Sequence, residues 1–407
     1  MFKSLLIGAL FLVSFSIPLK KHASASPMRY QNVCLEALGY TLPDELVTSA
    51  EIERRLAPLY QRLRLPEGRL ELMTGIRERR FWPPGTLPSE KSIESAEKAI
   101  QVSGVDRRSI GALIHGSVCR DFLEPATACR VHHHLGLSRD SAIYDLSNAC
   151  LGILNGMVQV ANMIELGQIR AGLVVGTEGS RQLVESTIAT LNRDESLTRD
   201  SVKSSIASLT IGSGSVAVLL TNRELSRTGN RLLSATTRAN TDFHDLCQSG
   251  RDEAVADGMA PLMNTDSEQL MHQGIAMGVE TFGVFLDDLG WTADRVDKVF
   301  CHQVGSAHRK LMLESLTLKP AADFTTVETL GNTGSVALPI TMARGVESGH
   351  LQKDDRVAML GIGSGINSVM LAVDWQNSWL KTAAQRHEPH FRSRRVTLDP
   401  RPSTLDS

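Results

Sequence analysis

The chain has 407 residues, 42% hydrophobic and 22% charged, which supplies apolar material for one large domain or two fused halves. Lysine and arginine (43) against aspartate and glutamate (45) leave a net charge of −2, so overall charge draws the chain to neither nucleic acid nor an anionic membrane. Cys34, Cys119, Cys129, Cys150, Cys247 and Cys301 lack paired short spacings, which excludes a disulfide-stapled secreted module and reads as free thiols in a reducing, cytoplasmic compartment.

The first segment pulls the other way. Residues 1–27 place Lys3 ahead of an apolar run from Leu5 to Leu19 and small residues at Ala23 and Ala25, in the manner of a secretory signal. The run is too short for a membrane span, and Lys20 and Lys21 sit where a cleavable signal turns polar without charge. Met28 opens "MRYQNVCLEAL", a good first strand, so 1–27 reads as a leader or an over-extended start.

From there β-branched runs alternate with helical periods, the mark of α/β layering. Buried strands are expected over 110–118, 171–179, 215–220, 298–305 and 356–365, with helices over 151–166 and 336–345. "CRVHHHLGL" puts Cys129, His132 and His133 on one helical face, but no fourth ligand accompanies them, so a polar helix is expected rather than a metal site. Cys150, in "DLSNACLGILNGMVQ", falls between a strand and a helix. There the helix dipole and free N–H groups favour a thiolate, although a lone cysteine at such a place is as readily a core residue. Hydroxyl-rich helical periods over 176–220 suit a cap or tunnel wall, and 376–407 reads as a flexible tail.

Two stretches repeat, from Asn148 and from Leu330: tight polar turn, helix, Glu-x-Gly, short link, apolar strand. The register that aligns Glu165 with Glu347 and Gly167 with Gly349 also puts Cys150 on Asn332, and a looser match upstream puts His302 at the end of a repeated strand. Halves over 28–222 and 223–375 could therefore bring Cys150, His302 and Asn332 into one pocket.

Together "DLSNACLGILNGM", "CHQVGSAHRKLM", "LGNTGSVALPIT", "LGIGSGIN" (360–367) and "TGIRERRFW" (74–82) resemble the thiolase superfamily in its ketoacyl-ACP synthase III branch, from about Tyr30 to Trp375. "SVCRDFLEPATAC" (117–129) resembles the OleA type within it, which condenses two fatty acyl-CoA molecules head to head in olefin biosynthesis. The resemblance implies a five-layered αβαβα fold of two similar halves, a homodimer, acyl-CoA or acyl-ACP substrates and no metal or redox cofactor. It implies Cys150 as acyl acceptor and His302 and Asn332 as enolate donors. The backbone N–H groups of Cys150 and Ser364 would form the acyl oxyanion hole. By the same resemblance Glu124 is a base that crosses into the neighbouring subunit, though read alone it is an exposed loop carboxylate before Pro125. Where bacterial type III synthases carry residues that clamp the CoA adenine, this chain has "GRLELM", so Arg77, Arg79 and Arg80, or Arg309 and Lys310, are candidate phosphate contacts. Three other readings stay open: a 3-oxoacyl-ACP synthase III using malonyl-ACP, a thiolase-shaped acyl binder that does not condense, and a papain-like Cys/His/Asn hydrolase. The last lacks the "CGSCW"-type surroundings of its nucleophile.

Overall fold

The computed structural model describes residues 28–250 and 263–377; the leader, and the tail beyond Asn377, lie outside them. The first half runs β1 (Met28–Arg29), β2 (Val33–Thr41), β3 (Glu45–Thr48), α1 (Ser49–Arg55), α2 (Ala57–Leu63), α3 (Arg69–Thr74), β4 (Glu78–Phe81), α4 (Pro88–Ser103), β5 (Ile110–Gly116), α5 (Thr127–Leu135), β6 (Ala142–Leu146), α6 (Gly152–Glu165), β7 (Ala171–Glu178), α7 (Arg181–Arg193), α8 (Ile206–Leu209) and β8 (Gly214–Asn222). The second runs β9 (Arg231–Ala239), β10 (Cys247–Ser249), β11 (Met263–Thr265), α9 (Ser267–Leu289), β12 (Lys298–Cys301), α10 (Ser306–Ser315), α11 (Val327–Leu330), α12 (Ala337–Glu347), β13 (Arg356–Gly363) and β14 (Asn367–Asp374).

The strand order displays the duplication. Hydrogen bonding runs β12-β13-β14-β9-β2-β8-β7-β5-β6, so outward from the centre the first half reads β2-β8-β7-β5 and the second β9-β14-β13-β12. Each half has its last two strands antiparallel, β7 with β8 and β13 with β14, and a parallel pair beyond, β5 with β7 and β12 with β13. The strand β6, parallel to β5, has only a vestige in the second half, the parallel bridge Val299–Asp323.

Period-two alternation sorts the strand side chains into layers. Val216, Val218 and Leu220 of β8 and Val369, Leu371 and Val373 of β14 face a shared central core with α6 and α12. Their neighbours turn outward: Ala217 and Leu219 pack on α4 and α5, and Met370 and Ala372 on α9 and α10. The layers are helix, sheet, helix, sheet, helix. Burial on both faces explains why β7 and β13 read as continuous apolar runs.

A fourth cluster joins α1–α3 and β4 to α7 and α8, around an apolar cavity of about 30 Å³ lined by Leu56, Leu59, Leu70, Leu191, Val202 and Leu209. The strand expected over 298–305 stops at Cys301, where the chain leaves the sheet for α10. Gln376 and Asn377, expected to open a flexible tail, are tied down instead: their backbone N–H groups donate to Asn230 Oδ1 at 2.7 and 3.0 Å, and the rest of that stretch lies outside the described residues. Among the described residues no helix is long and apolar enough to cross a membrane.

Candidate functional site

After β6 the chain turns through Ser147–Leu151, and Ala149 adopts φ 45°, a left-handed conformation that a residue with a Cβ takes only under constraint. Three asparagines supply the constraint. Asn148 Nδ2 donates to Asn155 Oδ1 at 2.8 Å, and Asn148 Oδ1 accepts from Asn367 Nδ2 at 3.2 Å, so the turn is pinned to α6 and β14. Cys150 lies two residues ahead of Gly152, the first helical residue. The end of β13 closes on it: a Cβ at Gly363 would stand 3.0 Å from Leu151 Cγ and 3.6 Å from the Cys150 nitrogen. Ser364 follows in the turn, its carbonyl accepting from Asn367 Nδ2 at 3.3 Å.

The sulfur is not the acidified thiol expected from a helix start. Burial pushes the Cys150 thiol up to about 12, helped by the nearby Glu178 carboxylate and the Cys247 thiol. Desolvation of the charged form outweighs the helix dipole, whose effect is worth only about 0.3–1 kcal/mol near a surface.

His302 is the first residue beyond β12, and its N–H donates to Leu360 O at 3.0 Å, so it stands at the carboxyl end of a strand beside β13. Burial, with His308 adding to it, lowers the imidazole to about 3, and Nδ1 has no hydrogen-bond partner among the described residues. The ring is neutral. Gln303 next to it accepts from Thr325 Oγ1 and from the N–H groups of Thr326 and Val327, and donates to Phe324 O at 2.7 Å. That ties β12 to the segment leading into Asn332.

Asn332 sits between α11 and α12, its N–H on Thr210 O and its carbonyl under Gly212 N–H, both at 2.9 Å. Its Oδ1 accepts from Gly334 N–H at 3.0 Å, which leaves Nδ2 as the donor end of the side chain. Gly334, at φ 58°, makes that reach possible.

Cys150, His302, Asn332 and Ser364 thus occupy turns at one end of the two half-sheets. Glu124 has no hydrogen bond to any of them. It is exposed in the loop between β5 and α5 and makes no hydrogen bond or ion pair with another described residue. Among the candidate phosphate contacts, Arg309 is paired with the buried Asp323 carboxylate, while Arg77 and Lys310 stay exposed. Arg79 corrects the expectation for its stretch: it is 0% exposed and bonds only Ser49 Oγ, because alternation along β4 turns it inward. Arg80 donates to Pro43 O at 2.8 Å. On α5, His132 bonds Ser138 O, and no cluster of metal-ligating side chains occurs among the described residues.

Sequence reasoning passed over Glu178. The last residue of β7, it is 6% exposed and accepts from Val118 N at 3.2 Å, Cys119 N at 3.4 Å and both N–H and O–H of Ser335. A carboxylate closing the apolar run "GLVVGTE" was the available signal.

Comparison with known proteins identifies the family. Residues 89–237 match the thiolase N-terminal domain, and residues 286–375 the C-terminal part of 3-oxoacyl-[acyl-carrier-protein] synthase III. An acyl-CoA:acyl-CoA alkyltransferase of Shewanella oneidensis is 45% identical over 351 residues, 86% of this chain and 100% of the relative. One of Xanthomonas campestris is 34% identical over 348 residues, again 86% of this chain and 100% of the relative. Crystal structures of Xanthomonas campestris OleA superpose with a TM-score of 0.81 at 34% identity, covering 86% of this chain and 99% of that one. One with bound lauric acid and lauroyl-CoA gives 0.80 at the same identity, over 85% and 100%. The chain belongs to the acyl-CoA:acyl-CoA alkyltransferase (OleA) family within the thiolase superfamily.

Proposed function

We propose that the protein condenses two fatty acyl-CoA molecules through an acyl-Cys150 intermediate. The observation that supports the reading is the contact between the halves at Cys150, where a Cβ at Gly363 would stand 3.6 Å from the Cys150 nitrogen and Asn367 bonds Asn148, with His302 on the strand beside β13 and Asn332 carrying an amide donor. In the first step Cys150 Sγ attacks the acyl carbonyl of one thioester as its proton passes to the departing CoA sulfur. The backbone N–H groups of Cys150 and Ser364 hold the tetrahedral oxyanion, and CoA leaves as a thiol. In the second step Glu124 of the partner subunit takes a proton from the α-carbon of another acyl-CoA, and His302 and Asn332 Nδ2 donate to the enolate oxygen. The carbanion attacks the Cys150 thioester, the C–S bond breaks, and the sulfur regains a proton. The product is a 2-alkyl-3-oxoacyl thioester, whose hydrolysis gives the 3-keto acid.

CoA as the carrier is supported by the relatives' names and by the lauroyl-CoA bound to the Xanthomonas protein. Arg77 and Lys310 remain as phosphate contacts. The apolar cap around α7 and α8 would line the acyl chains, and the free thiols suit a reducing compartment. The test is intact mass after incubation with lauroyl-CoA. An acyl adduct abolished by Cys150→Ala, with a 2-alkyl-3-keto product from two acyl-CoA molecules, is the expected result. Turnover only with malonyl-ACP would transfer the reading to the type III synthases, and no adduct at all would end it.

A further inference from the structure

Glu178 is a buried carboxylate whose four hydrogen-bond donors are all neutral, and no lysine, arginine or histidine pairs with it among the described residues. A carboxylate buried without a counter-ion depends on the hydrogen bonds it accepts, so the groups that donate them are held in place around it. Val118 and Cys119 begin the loop that leads to Glu124, and Ser335 stands three residues past Asn332. Gly334, which orients the Asn332 amide, lies so close that a Cβ there would be 3.2 Å from Glu178 Cγ. The backbone is fixed as well, since Trp82 Nε1 donates to Glu178 O at 3.0 Å.

We propose that Glu178 is a positioning residue for the condensation step, its carboxylate binding the base of the Glu124 loop to the Asn332 turn so that donor and base keep one fixed geometry. This rests on the condensing reading above. Acylation of Cys150 uses neither Asn332 nor Glu124 and should be spared. The charge leaves a second signature, because Glu178 is one of the groups that hold the Cys150 thiol protonated, together with burial and Cys247.

The test compares wild type, Glu178→Gln and Ser335→Ala with lauroyl-CoA. Glutamine keeps the size but replaces one acceptor oxygen with an NH₂ that meets donors, so one side of the bridge is released. Expected for Glu178→Gln is acylation within about 3-fold of wild type, condensation reduced about 100-fold as for a misplacement near 1 Å, and iodoacetamide labelling of Cys150 shifted to lower pH. Ser335→Ala, which keeps the charge, should lose about 10-fold in condensation, the worth of one charge-assisted hydrogen bond, with no shift in labelling. A Glu178→Gln enzyme that condenses at the wild-type rate overturns the inference. So does one that loses acylation and condensation alike with unchanged labelling, the mark of a structural role. If Glu178→Gln fails to fold, Ser335→Ala decides, and full condensation by it overturns the inference. A wild type that takes no acyl group sinks the condensing reading itself, a result separate from any variant's.

Discussion

Burial moves Cys150 and His302 in opposite directions on the pH scale, raising the thiol to about 12 and lowering the imidazole to about 3, and the chemical result for both is the uncharged form. A resting thiolate–imidazolium pair is therefore absent, and proton transfer must accompany attack on the thioester. Two outcomes follow. Alkylation of Cys150 by iodoacetamide, followed by peptide mass spectrometry, should rise about tenfold per pH unit through pH 10 without a plateau, whereas an unperturbed thiol levels off near 9. A plateau at pH 7 would mean an acidified nucleophile. For His302 the folded value is depressed, so its contribution to stability is present above the unfolded 6.5 and is lost as pH falls toward 3. The rate of acyl-Cys150 consumption should then show no acid limb centred near 6.5, while His302→Ala should lower it by about 100-fold or more at every pH tested.

The turns hold the site, and each turn rests on a residue whose conformation its neighbours dictate. Gly334 combines a left-handed backbone with a Cβ position that Glu178 crowds at 3.2 Å, so Gly334→Ala should cost about 1–2 kcal/mol from the backbone alone. A melting temperature lower by a few degrees, with condensation more affected than acylation, is the result that calorimetry and product assay should give. Elements of this kind were partly legible beforehand. The repeat of turn, helix and strand points to Asn332 as the counterpart of Cys150, and α6 and α12 do end at the aligned residues Glu165 and Glu347. Strand runs were readable because both sheet faces are covered, which erases polar positions. Other features depend on contacts between segments far apart in sequence. The inward turn of Arg79, the pairing of Arg309 with Asp323 and the pressure of Glu178 on the thiol come from tertiary neighbours that no local pattern encodes.

At the scale of the whole molecule, the expected base stands on an exposed loop of the single chain. Glu124 is exposed, as are Phe122 (55%) and Leu123 (59%) beside it, on a loop next to β6, the edge strand of the first half-sheet. An apolar loop and an open strand edge at one place suit a two-fold interface, in which strand pairs with strand and each loop enters the other subunit. Leu123→Asp should then shift the protein to monomer in light scattering and abolish condensation while Cys150 still takes an acyl group. A mixing experiment reads the contribution of each subunit directly. Glu124→Gln and Cys150→Ala chains are each expected to be inactive alone. Unfolded together and refolded at equal ratio, half the dimers would be mixed, and each mixed dimer would hold one site with an intact Cys150 from one chain and an intact Glu124 from the other. Activity should therefore return to about a quarter of wild type, the share that random pairing allows. If Glu124 worked within its own subunit, a mixed dimer would contain no complete site, and the mixture would stay as inactive as its parts.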